Sequence, residues 1–190
     1  STTRLRVVAR DVPIQEDAPI NLDYATLTLN EALELVPSDS FVGAVGDVSP
    51  VVLRRLARLS LLDVARGRAP SFEPSEVRTA RMKVRLVARE GDVLVLRYEG
   101  QTAASAQGTW TVNGQSKNRV RGVDLEFQGG ARWDTMQARF TQFEWVALGS
   151  RWGATEHNGR SDEKPSKIGF LIQLAPESYA FGVPSGLTAR

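Results

Sequence analysis

From Pro74 onward the chain alternates apolar and polar residues with a period of two, and this pattern limits it to a β-rich fold. Ala80, Met82, Val84, Leu86 and Ala88 interleave with Arg81, Lys83, Arg85 and Arg89. Side chains on a strand point to opposite faces in turn, so such a stretch is a half-buried strand with a wet cationic face. Four turn signals divide the remainder of the chain: Glu90-Gly91-Asp92, Asn113-Gly114, Gly129-Gly130 and Asn158-Gly159. Asn-Gly is the strongest of these, because a two-residue hairpin loop needs φ > 0 at both central positions.

Between the turns the pattern predicts strands at Val93–Glu99, Thr109–Val112, Gln115–Gln128, Ala131–Leu148 and Arg151–His157. Ile168–Leu174 reads as a buried or sheet-closing strand. Within Thr135–Leu148 the inward parity changes. Met136, Ala138 and Phe140 share one face, whereas Phe143, Trp145 and Ala147 share the other. One extra residue near Thr141-Gln142 reconciles the halves, which predicts a β-bulge there. Long, bulged, consecutively hairpinned strands curl. The expected fold is therefore mainly β (α+β): an antiparallel meander forming a barrel or curved half-barrel, with a two-sheet β-sandwich as the alternative.

The N-terminal part is less regular. Thr3–Arg10 alternates weakly and predicts a strand, and Asp11–Asn21 reads as loop. Thr28-Leu-Asn-Glu31 is a capping box opening a short helix through Val36, which Pro37 ends. The main helix is expected over Pro50–Arg66, with Ser49 as N-cap, Pro50 at the first position and Gly67 past the end. Leu53, Leu56, Ala57, Leu61 and Val64 share its apolar face, and Arg54, Arg55 and Arg58 its basic side. A helix followed by a long meander resembles, at the level of layout, lipocalin-like and lipoprotein-carrier half-barrels; such a likeness does not fix function.

No repeat or linker divides the 190 residues. They read as one domain, with 1–74 forming the strand and helices, 75–176 the meander and 177–190 a C-terminal tail. The absence of cysteine excludes disulfides, thiolate metal sites and cysteine nucleophiles. No apolar run reaches the roughly 18 residues of a membrane-spanning helix. Ser1 in place of an initiator methionine points to a processed protein of an exported or periplasmic kind. A net charge of +2 is too small to imply a polyanion partner. The cationic face of Arg81, Lys83, Arg85 and Arg89 lacks interleaved aromatics, which argues against nucleic acid.

His157 is the sole histidine. With Glu156 or Asp162 as orienting carboxylate it is the candidate for a hydrolase or isomerase. No nucleophile elbow, phosphate-binding glycine loop or metal-ligand spacing accompanies it, so neither metal nor cofactor is expected. Aromatics concentrate late in the chain, from Trp110 to Tyr179 and Phe181. On a curled sheet part of this set lines the concave side, as a solid core or as a pocket. Trp145, Trp152, Phe143, Arg151 and His157 are accordingly the candidate ligand-binding residues. The leading expectation is a non-enzymatic binding or interaction domain for an apolar small molecule or a protein partner. A catalytic role for His157 and a structural role in a larger assembly are the alternatives.

Overall fold

In the computed structural model, which describes residues 2–14 and 18–176, one sheet of eight antiparallel strands curls into a half-barrel. The predicted tail 177–190, with Tyr179 and Phe181, lies outside the described residues. The strands are β1 (Thr2–Val12), β2 (Asn21–Thr28), β3 (Val45–Asp47), β4 (Val77–Glu90), β5 (Val93–Val112), β6 (Gln115–Asp134), β7 (Arg139–Trp152) and β8 (Ser166–Leu174). Their order is β2-β1-β8-β7-β6-β5-β4-β3. The meander thus runs β3 to β8, and β8 then docks against β1, with Ala9 opposite Phe170. A single continuous sheet excludes the sandwich alternative. The sheet stays open, so it is not a closed barrel either.

Three expected breaks, after Glu99, at Gly129-Gly130 and after Leu148, are absent, and one unexpected break is present. β5 and β6 pair without interruption from Val93↔Asp134 to Val112↔Gln115. Asn113 and Gly114 close this hairpin with φ of 51° and 75°, as a two-residue loop of this kind requires. Gly129-Gly130 is no turn but lies inside β6. A Cβ on Gly129 would stand 2.2 Å from the Glu144 carbonyl oxygen, so glycine here permits close approach of β7. The real turn falls at Asp134–Ala138, where the Asp134 carboxylate accepts hydrogen bonds from the Met136 and Gln137 amides at 2.9 Å. The strand expected over Ala131–Leu148 is therefore divided there. The expected bulge is found: Arg132 pairs with Gln142 and Trp133 with Phe140, leaving Thr141 extra. The strand expected over Arg151–His157 ends at Trp152, because Gly153 takes φ +87° and turns the chain away.

Two helices fill the concavity. Helix α1 (Leu29–Leu33) opens with both halves of the Thr28/Glu31 capping box. Helix α2 (Pro50–Leu59) begins as expected, with Ser49 Oγ accepting from the Val51 amide at 3.3 Å. It stops at Leu59 and not at Arg66. The Leu61 amide reaches back to the Leu56 carbonyl and Val64 to Leu62, an irregular winding that keeps Leu61 and Leu62 buried and also carries Asp63 inside. Helical periodicity alone does not separate these two outcomes. Val52, Leu53 and Leu56 of α2 and Ala32 of α1 join the inner-facing side chains of the sheet in one core. At about 1.5–3 kcal/mol for each large apolar side chain removed from water, this packing anchors both helices.

The arginines of α2 are not the free wet face that the sequence pattern implies. Arg54 donates to the Val77 carbonyl on β4 at 2.5 Å, and Arg55 donates to the Thr26 carbonyl on β2 at 3.0 Å. Arg55 is held in place by Glu31, whose carboxylate it meets at 2.7 Å. Adjacent arginines thus tie α2 to both arms of the open half-barrel and satisfy carbonyls that exposed strand edges leave unpaired.

Candidate functional site

The sequence-predicted site residues separate into three places. Trp145 and Phe143 face the concave side, where Trp145 is 0% exposed and packs 5.1 Å from Tyr98 and 4.7 Å from Phe143 between ring centroids. Tyr98 donates to the Leu35 carbonyl at 2.9 Å, and burial pushes its hydroxyl pKa well above the ordinary value. Phe127, Phe140 and Trp133 continue the same buried aromatic cluster in edge-on contacts. With α1 and α2 seated over it, this face is packed as a core.

Trp152 lies on the opposite face, its ring over Gly122, where a Cβ would come within 2.1 Å. His157 sits in the turn after Gly153. Its side chain is 65% exposed, and its Nε2 stands 3.8 Å from Glu156 Oε1, too far for a hydrogen bond. Glu156 instead accepts from the Thr111 amide, and Asp162 from the Lys164 amide. Among the described residues no group of three or more His, Asp or Glu is placed to hold a metal ion.

Arg151 belongs to a buried ion network at one end of the half-barrel, which periodicity and spacing do not reveal. Asp63 meets Arg160 through two hydrogen bonds of 2.7 and 3.2 Å and accepts a third from Asn158 at 3.2 Å. Arg151 Nε stands 2.9 Å from Asp63 Oδ2, an ion pair without hydrogen-bond alignment. Arg160 also grips Asp11 bidentately at 2.6 and 3.0 Å, and Arg66 reaches Asp11 at 2.5 Å. Burial disfavours the Arg160 charge, but its hydrogen bonds to Asp11 and Asp63 outweigh that and raise its pKa. For Asp11 burial pulls upward, and the bonds from Arg160 and Arg66 win, so its pKa is lowered. At Arg151 burial dominates and lowers the pKa, although Asp63 opposes it. The network fastens β1, β7 and the segments 60–66 and 153–160 to one another. Every charge in it already faces a protein partner.

The outer face carries the exposed features. Strand register places Leu22, Val8, Leu171 and Val146 in one row across β2, β1, β8 and β7. Leu148 lies in the next row, with Gly169 and Arg10, and Val12 in the row beyond it; both close over Gly169, whose Cβ would stand 3.0 Å from Leu148 and 3.2 Å from Val12. Leu22, Leu148 and Val146 are 52%, 53% and 40% exposed. Beside them a trough of about 670 Å³ crosses the strands from Val12 to Ala103, with Leu148, Ser150, Asp124 and Glu126 along it. A second hollow of about 420 Å³ continues past Glu126 and Gln101 to Arg81, Lys83 and Asp47.

The cationic side chains of β4 are mostly occupied. Lys83 meets Asp47 at 3.3 Å and lies opposite Glu99, and Arg89 donates to the Gly91 carbonyl. Arg81 is opposite Gln101, whose side-chain oxygen, oriented to satisfy both groups, accepts from it at 2.7 and 2.6 Å. Glu99, Asp124 and Glu126, the acids of the neighbouring strands on this face, form no ion pair among the described residues. No helix among the described residues is long and apolar enough to cross a membrane. Comparison with protein-family models, curated proteins and solved structures finds no match to this chain.

Proposed function

We propose that this chain is a non-enzymatic interaction domain that presents the outer face of its sheet to a protein partner. One observation carries this reading. The concave face is filled by its own helices, while a row of half-buried to exposed aliphatic side chains, Leu22, Val8, Leu171 and Val146, adjoins the exposed Leu148 on the other face beside a trough. Scattered exposed aliphatics are ordinary, but a contiguous patch rimmed by charge is characteristic of a surface that is covered in use. The rim consists of Arg6, Gln173 and Glu144 on one side, linked by hydrogen bonds of 2.6 and 2.7 Å, and of Asp124 and Glu126 on the other.

Site-specific photo-crosslinking in the cells that make the protein tests this. A photoreactive amino acid in place of Leu148 should yield a discrete protein adduct, and the same substitution at Arg89, at the far arm of the sheet, should not. Adducts at neither position, or equal adducts at both, would remove the reading.

A further inference from the structure

We infer that the trough receives a partner segment in which aliphatic side chains alternate with arginine or lysine; this inference rests on the docking role proposed for the outer face. The trough extends from β1 across β8, β7 and β6 to β5, four inter-strand steps, or roughly 19 Å at about 4.8 Å each. A partner segment lying parallel to the strands would have β7, β8 and β1 on one side and β6 on the other. Its two sides differ in chemistry. Val12 and Leu148 make an aliphatic wall that meets over Gly169. On β6, Asp124 and Glu126 point to the same outer side, two residues apart, and stand opposite Ser150 and Leu148 in register. Their carboxylates are thus roughly 7 Å apart along the strand, the repeat of alternate side chains in an extended segment.

The charge of the surroundings decides the sign of the partner. Arg81 and Lys167 bond only the uncharged side chains of Gln101 and, at 3.3 Å, Ser150, whereas Lys83 is paired with the carboxylate of Asp47. Asp124 and Glu126 have no such counter-ion among the described residues. An anionic segment seated here would place like charges together with part of their water removed, whereas cations would complete the pairing. The same argument disfavours an anionic lipid surface, which would meet these two carboxylates first.

Three synthetic twelve-residue peptides provide the probe: alternating Leu-Arg, Leu-Gln and Leu-Glu, each fluorescently labelled and followed by anisotropy against the whole chain at low and high salt. The Leu-Arg peptide should bind most tightly and weaken with salt. The pair Asp124→Asn with Glu126→Gln should raise its Kd on the order of tenfold or more. Leu148→Asp should abolish binding, and Asp47→Asn, at the far end of the second hollow, should leave it unchanged. Circular dichroism would verify that each variant is folded. Equal binding of all three peptides, or Leu-Arg binding unaffected by the Asp124/Glu126 pair, overturns the inference, yet leaves the Leu148 cross-link as an independent test of the docking role. No binding by any peptide also overturns it, as does retention of anionic phosphatidylglycerol vesicles in preference to the Leu-Arg peptide.

Discussion

Replacing Asp63 by Asn should be the most damaging single-charge change in the molecule. The side chain is 7% exposed and stands between Arg160, Arg151 and Asn158. Asn keeps the shape but removes the charge and turns an amide N–H₂ toward groups that are themselves donors. Arg160 retains Asp11, whereas Arg151 loses the one carboxylate within ion-pair distance of it among the described residues. Breaking a buried pair by removing one partner costs about 3–5 kcal/mol, because the remaining charge stays desolvated. For a chain of this length about 2–4 °C of Tm is lost per kcal/mol, so Asp63→Asn should melt roughly 6–20 °C lower. Urea unfolding followed by fluorescence measures the free energy directly, and an unchanged slope would show that the native compactness survives. Lys83→Ala, which breaks an exposed pair with Asp47, is the control and should cost about 1 kcal/mol or less. Adding Arg151→Met to Asp63→Asn should restore part of the loss, since the orphaned charge is then gone. An Asp63→Asn protein within about 1 kcal/mol of the parent would refute the reasoning, and the network would then be ornamental.

Gly149→Ala should cost about 3 kcal/mol or more, because its Cβ would lie 1.8 Å from the Asp124 carbonyl oxygen, whereas Gly91→Ala, at φ +60° in open space, should cost about 1–2; urea midpoints compare them. Deleting Thr141 removes the bulge and forces either Phe140 or Phe143 onto the wrong face, so near-ultraviolet dichroism and cooperative unfolding should both be lost. The lowered pKa values of Asp11 and Glu31 mean that each stabilises the fold above the ordinary carboxylate range and ceases to do so as pH falls through its folded value. Stability should therefore decline below about pH 4, and Asp11→Asn should flatten that decline in urea titrations at successive pH values. The double change Arg54→Met with Arg55→Met frees edge carbonyls on β4 and β2; amide exchange near Val77 and Thr26 should quicken, and light scattering should show association at high concentration.

What could be read in the chain was what neighbouring residues decide among themselves. The Asn113-Gly114 loop, the Thr28/Glu31 capping box and the Ser49-Pro50 helix start all depend on a few adjacent dihedrals. The Thr141 bulge was legible because the parity of Phe140 and Phe143 records it directly. Gly129-Gly130 misled for a related reason. Glycine marks either a turn or a close approach, and only the carbonyl of Glu144 on the next strand tells which. β2 left little trace because it alternates weakly, with Leu22 and Tyr24 on the outer side against Ala25 and Leu27 on the inner. The outer aliphatic row could not be foreseen at all. Leu22, Val8, Leu171 and Val146 come from four strands separated by up to about 160 residues, and only register brings them together.

The segment from Pro50 to Arg66 explains why the concave face, the part most suggestive of a pocket in the sequence, is closed. Its first half is a helix whose apolar side completes the core and whose Arg54 and Arg55 bind both arms of the sheet. Its second half abandons the helix to deliver Asp63 and Arg66 to the ion network at the end of the half-barrel. Opening the interior to a ligand would therefore break edge hydrogen bonds, expose aliphatic surface and uncouple buried charges together. Each of those losses is of the order of 1 kcal/mol or more, and their sum rivals the whole stability of an ordinary domain. The outer face meets no such barrier: Leu148, Val146 and the two carboxylates of β6 are already in water, and covering them strengthens the fold at no cost in native contacts.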